Sequence, residues 1–373
     1  MKIKLASYLF ITAVFSLIFF ACSKFEDSIT TQQVYLDLPE TPYNYNSTMN
    51  GGFDAFTGID NNVATLGRVI FYDTKLSINN SVSCASCHKQ ARGFADDKKF
   101  SMGFQNHPTL RNTLPIQNVN LQSPFIMPGF SNSSLFWDGR ANFLQTMVLM
   151  PMLNHVEMGM PDLDGIVAKV KEQSYYPELF AKAYGTTNIS VELVSGALSG
   201  FVGSIFTANS KFDKSQSGMA QLTALEQEGQ LLFMSKYNCN SCHQAQQFNG
   251  YETGGGLVNI GLDRVYTDKG LEAITNDPAD NGKFKIPALR NVALTAPYMH
   301  DGRFATLDQV LDHYSHSIAD NPALDPRLRD EHGVPKVLNI TDHEKTAIIA
   351  FLNTMTDYSV VTDPKFSNPF KAR

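Results

Sequence analysis

Two copies of one pentapeptide, Cys84-Ala-Ser-Cys87-His88 and Cys239-Asn-Ser-Cys242-His243, constrain this 373-residue chain more than any other feature of it. Cys-x-x-Cys-His is the attachment signature of a c-type haem. The two thiols add to the haem vinyl groups, and the histidine turns back to ligate the iron from the proximal side. The spacing has a physical reason: one turn of helix sets both sulfurs on one porphyrin edge and leaves the imidazole beneath the metal. Zinc sites and thioredoxin-like pairs share Cys-x-x-Cys, and a single motif would leave them open. Two motifs, each with histidine directly after the second cysteine, in a chain that opens on an export leader, predict two covalently bound haems.

The cysteine count agrees. Of five cysteines the two motifs use four, so no structural disulfide is expected, and the fifth, Cys22, stands where the leader ends. Residues 1–21 carry Lys2 and Lys4 and then an apolar run, which is a signal peptide by charge and length and short for a membrane span. The run ends Phe19-Phe20-Ala21-Cys22, similar to a bacterial lipoprotein cleavage site, although Phe19 stands where leucine is usual. An ordinary leader with an incidental cysteine is the alternative. The expectation is a periplasmic protein held to a bacterial envelope membrane only by lipid on Cys22, with residues 22–62, polar and aperiodic, as a tether. The formal charge of -6 becomes -8 without Lys2 and Lys4 (28 basic against 36 acidic residues). An acidic chain argues against nucleic acid and suggests a protein partner that docks through a basic face.

From Val63 the pattern becomes helical and then repeats. Leu66-Gly-Arg-Val-Ile-Phe71 precedes the first motif and Gly229-Gln-Leu-Leu-Phe233 the second. Leu110-Arg-Asn-Thr113 with Trp137-Asp-Gly-Arg140 is echoed by Leu289-Arg-Asn-Val292 with His300-Asp-Gly-Arg303. The haem motifs lie 155 residues apart (239 minus 84), which implies an internal duplication. Apolar residues at Val191, Val194, Ala197, Leu198, Phe201, Val202 and Ile205 have helical spacing and close the first copy. A capping box at Thr341-Asp-His-Glu344 opens the last strong helix. Strand alternation is scarce. The fold class is mainly α, with two cytochrome c-like haem domains in tandem, residues 63–215 and 216–373.

These residues, with the segments LGRVIFYDTKLS, RNTLPIQN, FWDGRA, EMGM and LRNVALTAPYMHDGRFATLDQVLDHY, make the chain similar to the bacterial dihaem cytochrome c peroxidase family, including its MauG branch, over roughly residues 60–360. The resemblance implies an N-terminal haem that reacts with hydrogen peroxide, a C-terminal haem that feeds it electrons, and a calcium ion between the domains. His88 and His243 match the proximal ligands, Trp137 the tryptophan between the haems and Glu157 the catalytic acid–base. Asn112, Thr295 and Pro297 match the calcium positions, the last two through main-chain carbonyls; oxygen-only ligation suits a hard cation. The chemistry agrees for Glu157, since peroxide heterolysis needs a proton moved between two oxygens and the flanking Val156, Met158 and Met160 would raise a carboxyl pKa. Arg140 and Arg303 suit haem propionates or Asp138 and Asp301 equally.

Three positions depart from the family. Where a loop histidine caps the N-terminal haem in many members until the other haem is reduced, this chain has Phe104, which cannot bind iron; His107 and Met102 lie close by. That predicts a first haem open without reductive activation. The usual distal methionine of the C-terminal haem maps onto Tyr314, as in the MauG branch, with His313 and His316 as rivals. Met147 replaces a distal glutamine. The function expected is peroxide reduction with electrons from a small cytochrome or another periplasmic donor. A MauG-like oxidation of a protein partner and a non-catalytic dihaem electron carrier are the alternatives.

Overall fold

The computed structural model describes residues 34–38, 43, 59–119, 134–243 and 256–371, so the leader, Cys22 and most of the expected tether lie outside the described residues. Helices dominate. The β-structure among the described residues amounts to two short antiparallel ladders and isolated bridges. One ladder, Tyr35–Leu36 with Phe370–Lys371, lies in a small unit of its own; residues 38–369 form the main unit.

Within that unit each half is built on one helix crossing. The Asn61–Tyr72 helix starts where the Asp60 carboxylate accepts from the Asn62 and Val63 N–H groups at 2.8 and 3.1 Å. It crosses the Val191–Ser204 helix at Gly67, where a Cβ would overlap the Ala197 carbonyl oxygen. In the second half the Ala224–Leu231 helix, opened by the Thr223/Glu226 capping box, crosses Asp342–Asn353 at Gly229, where a Cβ would overlap the Ala347 carbonyl oxygen. Phe201 and Phe351, four residues beyond those alanines, flank the two glycines in the same way. The duplication read from sequence is thus a duplication of backbone contact. Around the crossings, Phe71 and Phe201 lie 5.1 Å apart in the first core, and Phe233 and Phe351 lie 5.7 Å apart in the second.

The halves exchange material at their ends. Phe212, well before the second helix pair, packs 5.8 Å from Phe351 and donates its N–H to the Thr354 carbonyl. Beside it Asp213 forms a bidentate pair with Arg290 at 2.7 and 2.8 Å; the two side chains are only 5% and 1% exposed. In return, the stretch after Tyr358, which reads as an irregular tail, forms a helix at Tyr358–Thr362 and a turn at Pro364–Phe366 packed on the first half. Gln90 Nε2 donates to the Val360 and Asp363 carbonyls, Tyr72 OH to Phe366 O at 2.7 Å, and Arg68 Nε to Ser367 O at 2.6 Å. The Phe366 ring enters the cluster of Tyr43, Phe94 and Phe201. Arg68 is fully buried, and a buried guanidinium requires acceptors, which the tail supplies.

A glycine-to-alanine change inside a solvent-facing helix normally stabilises by about 1 kcal/mol. At Gly229 the sign should reverse: Gly229→Ala is expected to destabilise by about 1–3 kcal/mol, because the methyl group forces two backbones apart. Chemical denaturation followed by Trp137 fluorescence and far-UV circular dichroism measures it.

Candidate active site

The first attachment motif folds as the Cys84–Cys87 turn of helix, with Ser83 N–H donating to Ser86 Oγ at 3.0 Å. His88 follows, its N–H bonded to the Cys84 carbonyl at 2.9 Å. Its Nδ1 lies 2.9 Å from the Phe94 carbonyl. A carbonyl accepts only, so Nδ1 carries the proton and Nε2 keeps its lone pair for a metal. Burial lowers the His88 pKa and keeps the ring neutral. Burial also pushes Cys84 up to about 12 and Cys87 up to about 11, the reverse of the acidified thiol of a thioredoxin-like pair. The second motif repeats the arrangement in the Cys239–Ser241 turn, where His243 N–H bonds to the Cys239 carbonyl at 3.0 Å and burial pushes Cys239 up to about 12. Residues 244–255, which follow it, lie outside the described residues.

Beside His88 opens a cavity of about 1220 Å³ whose wall includes Cys87, His88, Trp137, Met147, Glu157 and His300. It exceeds the roughly 300–1,000 Å³ of ordinary small-molecule pockets, which suits a porphyrin. Cysteine, an imidazole with Nε2 unprotonated, and this volume fit a haem at His88. Glu157 is held by Asn154 from both ends: Nδ2 donates to Glu157 Oε1 at 3.0 Å, and the Asn154 carbonyl accepts the Glu157 N–H at 3.1 Å. Burial raises the Glu157 pKa, and the Arg140 charge opposes that only in part. Asn154 was not singled out from sequence; its position three residues before a candidate acid was the available signal.

Trp137 and His300 occupy equivalent places in the duplicated Asp-Gly-Arg motifs, and the two copies fold alike. Bridges between Leu135 and Ala141 and between Tyr298 and Phe304 close the two loops. Phe136 and Met299 both take left-handed φ, 65° and 74°. The rings of Trp137 and His300 then meet edge to face at 6.5 Å, and His300 stacks flat on Phe284 at 3.6 Å. Trp137 Nε1 donates to the Asn112 carbonyl at 2.8 Å, and Asn112 N–H donates to the His300 carbonyl at 2.7 Å. Arg140 pairs with Asp138 at 2.9 Å, and Arg303 with Asp301 and Asp263 at 2.8 and 2.6 Å. Arg111 joins the halves by binding both Asp138 and Asp268 at 2.6 Å. The Asp268 partner is 157 residues away and carries no local signal.

Phe104 is absent from the wall of this cavity. Met102 lines a smaller adjoining cavity of about 70 Å³ with Cys84, His88 and Glu157, and His107 is exposed. On the Leu307–His316 helix, Tyr314 is half-buried near Cys242 and Cys239, and desolvation of its hydroxyl raises its pKa. His313 Nε2 is 3.0 Å from the Ile260 carbonyl, and His316 is exposed. Asn112 Nδ2 bonds to the Lys98 and Lys99 carbonyls at 3.2 Å, while its Oδ1 and the main-chain oxygens of Thr295 and Pro297 accept no hydrogen bond among the described residues.

Residues 61–221 match the family model for di-haem cytochrome c peroxidase. The methylamine utilization protein MauG of Paracoccus denitrificans is 31% identical over 349 residues, covering 80% of this chain and 89% of MauG. The chain belongs to the di-haem cytochrome c peroxidase family. Within that family, the cytochrome c551 peroxidase of Nitrosomonas europaea is 32% identical over 266 residues, covering 69% of this chain and 74% of that protein. A solved MauG-like protein associated with microbial copper homeostasis superimposes with a TM-score of 0.73 at 31% identity, over 90% of this chain and 97% of that one. The diheme peroxidase BthA of Burkholderia thailandensis, at 22% identity and TM-score 0.67 over 92% of this chain and 96% of that one, shares the fold. The family carries two c-type haems, and the motifs at Cys84 and Cys239 account for both. Accordingly, the purified protein should show two haems per chain that survive denaturation, and Cys239→Ser/Cys242→Ser should leave one. Pyridine haemochrome absorbance with intact mass counts them.

Proposed function

We propose that this protein is a periplasmic dihaem peroxidase that reduces hydrogen peroxide to water with electrons from a small cytochrome or similar donor. The observation that carries the reading is one cavity whose wall contains His88, Glu157 and Trp137. Bound at His88, a ferric haem supplies the redox-active metal at which a peroxide O–O bond can be cleaved. Glu157 carries the proton: its carboxylate accepts from the oxygen that stays and returns it to the oxygen that leaves as water. Burial, which raises its pKa, makes the carboxylate a better base for taking the proton and keeps more of the group protonated for returning it. Asn154 holds Oε1 and so aims the carboxyl group. Trp137, held at Nε1 by Asn112 and set against His300, is the electron bridge between the halves. Their working boundaries are residues 63–215 and 216–373.

Tyr314 is the distal ligand we assign to the second haem; the pairing of His313 with Ile260 and the exposure of His316 support it. A phenolate stabilises the higher oxidation state, which favours the second reading, oxidation of a protein partner as in the MauG branch. A calcium ion on Asn112 Oδ1 and the Thr295 and Pro297 carbonyls is supported by those unused acceptors. Lipid on Cys22 would hold the protein to the envelope. Among the described residues, no helix is long and apolar enough to cross a membrane.

Glu157→Gln should slow the stopped-flow reaction with peroxide by about 10²–10⁴-fold while both haems stay bound. The sign with pH follows from the raised pKa: the proton-accepting carboxylate is present above that value and lost below it. The wild-type rate should therefore fall on acidification with an inflection above the ordinary glutamate value of about 4.3, and the inflection should vanish in Glu157→Gln. A wild-type rate in that variant would remove Glu157 from the role.

Tyr314→Met should raise the potential of the second haem, because thioether ligation raises it where a phenolate lowers it. Redox titration and near-infrared absorption measure the change; an unaltered potential with a bis-histidine spectrum would assign the site to His313.

A further inference from the structure

The segment that carries Phe104 is fastened to the segment that carries Glu157 at several points. Phe104 N–H donates to the main-chain carbonyl of Glu157 itself at 3.0 Å. Gly103 lies so close to Val156 that a Cβ there would overlap the Val156 carbonyl oxygen. The Phe104 ring covers Gly159, whose φ is +73°, and a Cβ on Gly159 would run into that ring. A third segment locks the other two. Asn79 Nδ2 donates to the Phe104 carbonyl at 2.7 Å, and Ile78 N–H donates to the Met158 carbonyl at 3.0 Å. Residues 78–79, 103–104 and 156–159 therefore hold one another, and Glu157 is the acid at their centre.

We infer that the Gly103–Phe104 turn is a positioning element for Glu157, and that the same contacts fix the loop away from the iron position. The inference rests on the reading of Glu157 as proton carrier. Phe104 itself does not line the cavity, so it acts through Glu157 and not on peroxide. Three physical points favour positioning over simple space-filling. The hydrogen bond reaches the acid's own peptide. Two glycines are required for the approach, one on each side. The ring covers the left-handed residue two places after the acid, where the backbone would otherwise pivot. Replacing the family's capping histidine by phenylalanine removes an iron ligand and, in this chain, puts an apolar weight on the Glu157 backbone. Access to the first haem would then be set by a packed loop rather than by reduction of the other haem.

Three variants of the full-length dihaem protein test this. In Phe104→Ala, the peroxide rate should fall by about tenfold or more, since a misplacement of about 1 Å can cost about 10²-fold. Haem content and the spectrum of the His243 haem should be unchanged. Phe104→Leu, which restores apolar bulk over Gly159, should recover most of the rate. In Phe104→His, the imidazole should take the place of the ring over Gly159, and the electron paramagnetic resonance signal of the ferric His88 haem should match that of wild type. Phe104→Ala reacting at the wild-type rate while Glu157→Gln is slow would overturn the positioning role. A new bis-histidine low-spin signal in Phe104→His would overturn the fixed loop. If Glu157→Gln reacts normally, the proton-carrier reading fails on its own, and the spin state of Phe104→His still decides the loop.

Discussion

Contact between helix backbones at Gly67 and Gly229 sets the geometry on which the rest of each half depends. With a carbonyl oxygen filling the space where a side chain would stand, the paired helices cannot separate or rotate without losing dispersion contacts along their length. Each crossing then places the start of an attachment motif: Cys84 lies 17 residues after Gly67, and Cys239 lies 10 after Gly229. The first half uses its extra seven residues to place Asp73, which accepts hydrogen bonds from Tyr175 and Tyr176 at 2.7 and 2.8 Å. The second half shortens the path with a wide helical turn at Leu232–Lys236. One scaffold thus tolerates different lengths on the way to its haem.

Duplication followed by divergence explains the junction better than either half does alone. The loops around Trp137 and His300 have one backbone, down to the left-handed residue before the aromatic ring. Their side chains differ, and the two rings face each other. Arg111 and Arg290, also equivalent in the repeat, have separated in role. Arg290 is sealed against Asp213, from the segment just before the second helix pair, where losing one partner would strand a buried charge. Arg111 reaches across to Asp268 and is less buried. The same inherited arginine is a fully buried ion pair in one copy and a more exposed fastening to two aspartates in the other.

The helical class and the repeat were legible because each rests on a local pattern: a five-residue motif that recurs, 3/4 spacing from Val191 to Ile205, a capping box at Thr341. The pairing of Arg140 with Asp138 was legible as one of two options, since two residues of separation bring the groups into reach. Asp268 and the Phe284 ring against Arg111 were not legible, because both contacts depend on a fold that brings the halves together across more than a hundred residues of chain. The tail beyond Tyr358 misled for a related reason. Its prolines and short apolar runs look irregular when no partner is in view, and its order comes from Arg68, Tyr72 and Gln90 in the distant first half.

That tail gives the molecule a direction in time. Synthesis delivers the Asn61–Tyr72 helix and the first attachment motif early, yet the carbonyl that receives Arg68 Nε belongs to Ser367, 299 residues later. Until then the interior of the first half contains a guanidinium lacking its Ser367 acceptor and an aromatic cluster without Phe366. These late residues act as a closing seam. A chain interrupted anywhere before them would hold an intact first motif beside a core that lacks the Ser367 acceptor and the Phe366 ring.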